Sequence, residues 1–450
     1  MREYRTLTVF GLSLLGALFA ISVSVPRAGV VAIDPGPRPP SPDIGSPLPG
    51  LSQANLNLFL AGQESIQEID SVQGTLPDTG LGLGPLFNMD SCGGCHNYPA
   101  PGGSSPPVNP QVAVATKAGA TNTVPFFVVS SGPILHPFIK NNPDGSLGER
   151  IHVYTITGRV DAPGCSLTQP DFDALNAAGS LSFHIPLQLY GLGLVQTIAD
   201  STLSNNLASQ SDEKQALGIG GHLGPMASGN IGRFTFKAQS SSLLRDSAGA
   251  YAGEVGVTNA IVRNENDQTP GCQFNQTPED RGNPNARTAA GRLPDFAKIA
   301  EFATFLAPPT PAPATASSTA GQALFAQIGC ALCHTPSLQT AKSSNPALSN
   351  KTANLYSDLA LHKMGPGLAD GIILNDAGGD EFRSTPLWGV GMRLFLLHDG
   401  RTTDMLQAIL AHASPGNATY PASEANQVIN AFNALSVEEQ QNILDFLRSL

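Results

Sequence analysis

Two copies of one pentapeptide, Cys92-Gly-Gly-Cys95-His96 and Cys330-Ala-Leu-Cys333-His334, constrain this chain more than any other feature. In each, two thiols stand three residues apart and an imidazole follows the second. That spacing lets a chain bond both vinyl groups of a haem and ligate its iron. The attachment points lie on one rigid macrocycle, so each copy demands a pocket of fixed size. The plainer alternative is a Cys-x-x-Cys redox pair or a zinc site with an incidental His. Zinc needs four ligands, however, and a redox pair does not need the same His twice. A chain of 450 residues is too long for one hydrophobic core, so one haem in each of two domains is expected.

Local patterns place the copies. Residues 7–25 are apolar and uncharged behind Arg2 and Arg5, which reads as an export signal, cleaved or retained as a membrane anchor over residues 1–32. A Pro-rich tether follows over 33–52. Helical periodicity begins at Gln53 and recurs at 295–306, and the stretch 307–319 has linker composition. A helix at 320–329 runs into the second copy, and Ser436-Val-Glu-Glu439 is a capping box that opens a closing helix. Between 124 and 237, TVPFFVVS, RIHVYTITGRV, SFHIPLQLYGLGLVQTI and GRFTFKAQ read as strands. The expected fold is therefore mainly α, with two cytochrome c-like haem domains, 53–306 and 320–450, the first enlarged by a β-containing, loop-rich insertion. Each cysteine motif follows a helix, and a helix closes the second domain.

The excess of 35 acidic over 24 basic residues gives a net charge of −11, which repels nucleic acid and suits a basic partner. The two cysteines outside the motifs, Cys165 and Cys272, lie in loop-like segments and are expected to pair in an oxidising compartment. Seven histidines remain outside the motifs: His136, His152, His184, His222, His362, His398 and His412. Composition does not choose among them.

The segments FNMDSCGGCHNYPAPGG, YGLGLVQTI, GRFTFKAQ, GEVGVTN, FAQIGCALCHTP, YSDLALHKMGPGLAD and EFRSTPLWGVGMRLFLLHDGRTTDMLQAILAH carry a resemblance over nearly the whole mature chain. It resembles the di-haem oxidoreductases, a peroxidase-like family also called thiol oxidoreductases, which is distantly similar to bacterial di-haem cytochrome c peroxidases. The resemblance implies a sixth ligand to the second haem about fourteen residues after His398, where His412 stands. The pair His334 and His412 would then ligate that iron, with Met405 and Met364 as alternatives. It also sets Asp246 where the peroxidases carry a Gln and Glu254 where they carry the Glu that assists O–O cleavage. Lys237 falls in a GRF-x-x-KA pattern and becomes a partner for a haem propionate. An interdomain calcium follows from the family alone.

Two departures stand out. Phe236 occupies the place of a tryptophan held between the haems, and no His lies between His96 and His136. The first haem is then five-coordinate or borrows His136, His152, His184 or His222. The function implied is reduction of hydrogen peroxide at the first haem, with electrons entering at the second from a small redox protein in the periplasm. The same haem pair, run the other way, would use peroxide to oxidise a partner protein or thiol. An electron carrier with both irons six-coordinate is the reading from another class.

Overall fold

The computed structural model describes residues 31–140, 150–286 and 292–450. The apolar run at 7–25 lies outside the described residues, and among those described no helix is long and apolar enough to cross a membrane. Residues 32–450 form one compact unit, largely helical and loop-rich, with small two-stranded ribbons.

The helices that build the site are α1 (Gln53–Gln67), α2 (Cys92–Cys95), α3 (Leu243–Ala250), α4 (Asp295–Phe305), α5 (Ala316–Gln327), α6 (Met405–Leu410) and α7 (Val437–Ser449). The ribbons are β1 (His136–Ile139) with β2 (Leu181–His184), and β3 (Leu361–Lys363) with β4 (Glu381–Arg383), both antiparallel.

One device recurs. In α1, Phe59 stacks on Phe302 of α4 at 5.2 Å, and Gly62 lets the two backbones meet, since a Cβ there would collide with the Lys298 carbonyl. In α5, Phe325 packs edge-on to Phe446 of α7 at 5.4 Å, and a Cβ at Gly321 would collide with the Asn442 carbonyl. Each crossing seats a core, and each cysteine motif follows the first helix of its crossing, directly after α5 and, after α1, beyond three short strands. Gly321→Ala should gain about 1 kcal/mol of helix propensity but lose more to forced separation, because overpacking costs about 1–3 kcal/mol. We expect a net fall in the denaturant midpoint of the protein. An unchanged or raised midpoint would show that the crossing has slack.

The closing helix starts as expected, with Ser436 and Glu439 capping each other reciprocally. Helix α5 begins earlier than expected, at Ala316, because Thr315 and Ser318 form a capping box inside the Pro- and Ala-rich stretch. The Pro-rich segment near the N-terminus has no helix, yet it is docked rather than free. Asp34 is 6% exposed on its side chain and pairs with Arg448 of α7, and Leu48 donates its N–H to the Phe305 carbonyl at 2.7 Å.

Most of the expected strands are absent. TVPFFVVS is loop, and RIHVYTITGRV contributes only Tyr154–Thr155 to a strand. GRFTFKAQ turns back on itself because Thr235 and Ala238 take φ of 65° and 51°, outside the β region. In SFHIPLQLYGLGLVQTI the strand ends at His184 and a helix takes over at Leu192. Phe127, Val128, Val153 and Ile156 are buried by core contacts and not by ladder pairing, while Val124, Phe126, Val129 and Val160 are exposed.

Cys165 and Cys272 form a disulfide with Cα atoms 4.8 Å apart and 107 residues of separation. Replacing both with alanine should lower stability by about 2–5 kcal/mol, read as a drop in the denaturant midpoint. A loss below ~1 kcal/mol would mean the packing around the bridge already restrains this loop.

Candidate functional site

Each cysteine motif opens onto a cavity. The first, about 1090 Å³, is lined by Cys92, Cys95 and His96, and the second, about 240 Å³, by Cys330, Cys333 and His334. The four thiols are not bridged to one another. Burial pushes the Cys92 and Cys330 thiols up to about 12, helped by Asp70 in one case and Cys333 in the other. A redox dithiol needs a depressed pKa, so these are not poised for disulfide exchange. A zinc site needs converging ligands, and among the described residues no group of three or more His, Cys, Asp or Glu could hold a metal ion.

Three imidazoles are set the same way. The Nδ1 atoms of His96, His334 and His412 lie 3.2, 3.2 and 2.8 Å from the carbonyls of Gly103, Tyr356 and Ala408. With Nδ1–H donated to backbone, Nε2 keeps its lone pair, the state an iron ligand needs. Burial lowers all three, and His334, lowered chiefly by burial and further by His412 in the same cavity, falls to about 4. Helix α6, capped by Asp404, delivers His412 just beyond its last turn. Met405 and Met364 also line the second cavity, so all three candidate sixth ligands are gathered there.

The wall of the first cavity carries acid–base groups. β1 and β2 pair in a register that sets His136 opposite His184, and both rings reach the lining. Glu254 lies in a π-helical turn, Tyr251–Val255, that follows α3 directly. Such turns recur at functional sites because the extra residue re-aims a side chain. Its Oε2 accepts from Asn88 Nδ2 at 2.9 Å and pairs with His136 Nε2, while Oε1 lies 3.1 Å from Arg150 Nη1. The Glu254 carbonyl accepts the Asn88 N–H at 2.7 Å, which pins the loop ahead of α2 to this turn. Burial pushes the Glu254 carboxyl up, but His136 and Arg150 more than offset it and hold the group well below the usual range. Asp246 of α3 faces the same cavity without such partners, and burial raises it to about 6 against the pull of Arg150 and Arg383.

Of the four histidines open to the first haem, His136 and His184 line its cavity. His152 turns to the Gly253 carbonyl at 3.0 Å and His222 toward Glu381 at 3.3 Å, and neither is in a lining. Lys237 also lies outside both linings. Its fully buried ammonium pairs with Asp370 at 2.9 Å and donates to the carbonyls of Gly378 and Glu381 at 2.9 and 2.8 Å. That leaves it no free donor for a propionate, so it acts as a buried cross-link.

Sequence reasoning missed Arg150, Asn88, Arg383 and Arg393. Phe236, Arg383, Thr385 and Arg393 line both cavities and form a shared wall. Arg393 is 9% exposed, and among the described residues its Nε and Nη2 have no hydrogen-bond partner. Burial without a counter-charge lowers Arg393 to about 10. A buried guanidinium with two idle donors calls for an anion. The only signal was an arginine within the last segment quoted for the resemblance.

Residues 142–450, more than half of the chain, match the family described as "Di-haem oxidoreductase, putative peroxidase". The chain belongs to this family. Membership brings a general redox role and haem binding. No curated protein matches. Among solved structures, the diheme peroxidase BthA from Burkholderia thailandensis E264 shares 13% identity with a TM-score of 0.37, covering 88% of this chain and 86% of its own. A MauG-like protein associated with microbial copper homeostasis shares 14% with a TM-score of 0.31, covering 58% and 89%. Kuenenia stuttgartiensis hydrazine synthase shares 11% with a TM-score of 0.36, covering 99% and 100%. At such TM-scores these likenesses carry no argument.

Proposed function

We propose that this member of the family is a periplasmic di-haem peroxidase with one covalent haem in each cavity. The observation that carries the reading is the placing of Glu254 in the larger cavity, held between His136, Arg150 and Asn88 beside the His96 motif. The residues present fit the group. Cys92 and Cys95 would bond the first haem and His96 would ligate it. Cys330 and Cys333 would bond the second, and His334 and His412 would both ligate it. The idle donors of Arg393, in the shared wall, suit haem propionates.

When bound, the haems supply one-electron redox chemistry and the iron at which a peroxide O–O bond is cleaved. The chain's part is proton handling. Ionised Glu254 takes the proton from the near peroxide oxygen and returns it to the leaving oxygen. His136 and Arg150 fix the carboxylate and stabilise its charge. Asp246, near 6, holds a proton in mildly acidic solution, so the two carboxyls are tuned apart. With His334 and His412 as ligands, the second cavity would be closed to substrate and left for electron entry from a small redox protein with a basic surface that suits the net charge of −11. The Cys165–Cys272 bridge and covalent haem attachment belong to an exported, oxidising compartment.

The test is the absorption and EPR spectrum of the ferric protein, before and after partial reduction and then hydrogen peroxide. One high-spin haem that changes with stoichiometric peroxide supports the peroxidase. Two low-spin haems that never respond would leave an electron carrier.

A further inference from the structure

The two arginines of the shared wall are not equally occupied. Arg383 donates from Nε to the Thr235 carbonyl at 2.7 Å and from Nη1 to the Ser384 carbonyl at 3.0 Å. Burial lowers it, but Asp246 and Asp358 favour its charge. Arg393 has no such company, and burial alone acts on it. The two carboxyls on the lining of the first cavity are engaged elsewhere, Glu254 by His136 and Arg150 and Asp246 by Arg150 and Arg383. The idle Nε and Nη2 of Arg393 lie along one edge of the guanidinium, the fork that grips a carboxylate through two parallel hydrogen bonds.

A second idle donor stands on the lining of the first cavity. Trp388, 4% exposed and the only tryptophan in the chain, has no hydrogen-bond partner for its indole Nε1 among the described residues. A buried indole N–H ordinarily finds an acceptor. Trp388 and Arg393 flank one short turn, Val390–Met392, that is pinned from both sides. The Trp388 carbonyl accepts from Gln188 Nε2, and its ring lies against Gly191, where a Cβ would collide with it. The Arg393 carbonyl accepts from Arg448 Nη1 at 3.1 Å, and a Cβ at Gly391 would collide with the Arg448 carbonyl. The turn therefore fixes orphaned donors and an unbalanced positive charge in a buried wall, which calls for an anion with several acceptor oxygens.

We propose that the Nε–Nη2 edge of Arg393 and the indole N–H of Trp388 bind the propionate carboxylates of the haem held by Cys92 and Cys95, and that Arg393, standing in the wall of both cavities, raises the reduction potential of both haems. A haem bonded through its vinyl groups carries its propionates on the opposite edge, free to meet such donors. Trp388 lines the first cavity and not the second, so the carboxylates are those of the first haem. The charge reaches further than the hydrogen bonds. A reduced haem carries one electron more than an oxidised one, and a fixed positive charge in a poorly solvated wall beside it favours reduction. This inference rests on the haem-binding part of the proposed function and not on peroxide as substrate.

The test is the midpoint potential of each haem in the protein carrying both, measured spectroelectrochemically at fixed pH without peroxide, together with the propionate bending bands of the resonance Raman spectrum. Arg393→Met, which keeps the length and removes the charge, should lower both midpoints and shift the first haem's propionate bands. Arg393→Lys keeps the charge without the fork, so both midpoints should return toward wild type while the bands stay shifted. Trp388→Phe should lower the first haem's midpoint and move its bands alone, and it carries the test if Arg393→Met does not fold. Midpoints unchanged in Arg393→Met, a fall in only one of them, or a band shift confined to the second haem overturns the proposal. So do wild-type midpoints that follow added chloride or acetate at constant ionic strength, the mark of a free anion on these donors. A chain without covalent haem would sink the haem reading and this proposal with it, whereas a protein inert to peroxide that keeps the Arg393-dependent shifts would sink the peroxidase reading alone.

Discussion

Exchanging Cys330 and Cys333 for alanine is expected to halve the covalent haem, from two groups per chain to one. Intact-mass measurement and haem staining of a denaturing gel both read this directly. The motifs open onto separate cavities, and the remaining pair, Cys92 and Cys95, keeps its own histidine and lining. The surviving spectrum should be that of the His96 site. The Cys92 and Cys95 exchange should instead leave the low-spin spectrum of a bis-histidine haem. Loss of both haems from either variant would mean that the shared wall, Phe236, Arg383, Thr385 and Arg393, needs both groups to form. A wild-type chain without covalent haem would remove the basis of the functional reading.

Glu254→Gln should slow the reaction of the reduced protein with hydrogen peroxide by about 10²–10⁴-fold, the range typical of a lost general acid–base group. Glutamine keeps the shape, and its one carbonyl oxygen can still accept from Asn88 or from Arg150, so haem content and folding should hold. Rapid-mixing kinetics at fixed haem content measures the effect. Because the folded carboxyl lies below its ordinary value, its ionisation stabilises the fold above the usual carboxylate range and loses that contribution as pH falls. Glu254→Gln should therefore flatten the acid limb of the stability profile as well. A rate within threefold of wild type would move the acid–base role to Asp246.

What the sequence could show depended on how local the determinant was. The thiol spacing and the Ser436–Glu439 box are complete within a few residues, and both were readable. The Glu254 position was readable only through resemblance, and its partners were not. His136, Arg150 and Asn88 come from three separate segments, brought together by the β1–β2 register and the turn after α3. Nothing in the spacing of His136 and His184, 48 residues apart, announces that they are cross-strand neighbours. The strands expected over 124–237 failed for a related reason. Apolar runs do not by themselves specify ladders, and here irregular backbone buries Phe127 and Val128 of one run while Val124, Phe126 and Val129 of the same run stay exposed. Lys237 shows the same limit in reverse, since its motif placed it correctly in the chain while only the fold revealed that Asp370 consumes its charge.

The disulfide bears on how the halves come together. The α5–α7 crossing closes over the 121 residues from Gly321 to Asn442, whereas the α1–α4 crossing, from Gly62 to Lys298, spans almost twice as many. Doubling a loop costs only ~0.6 kcal/mol of closure entropy but lengthens the search for the contact. Once Cys165 and Cys272 are joined, the route from Gly62 to Lys298 shortens to 103 residues before the bridge and 26 after it. The bridge thus gives the enlarged half a closure path almost as short as that of its smaller neighbour.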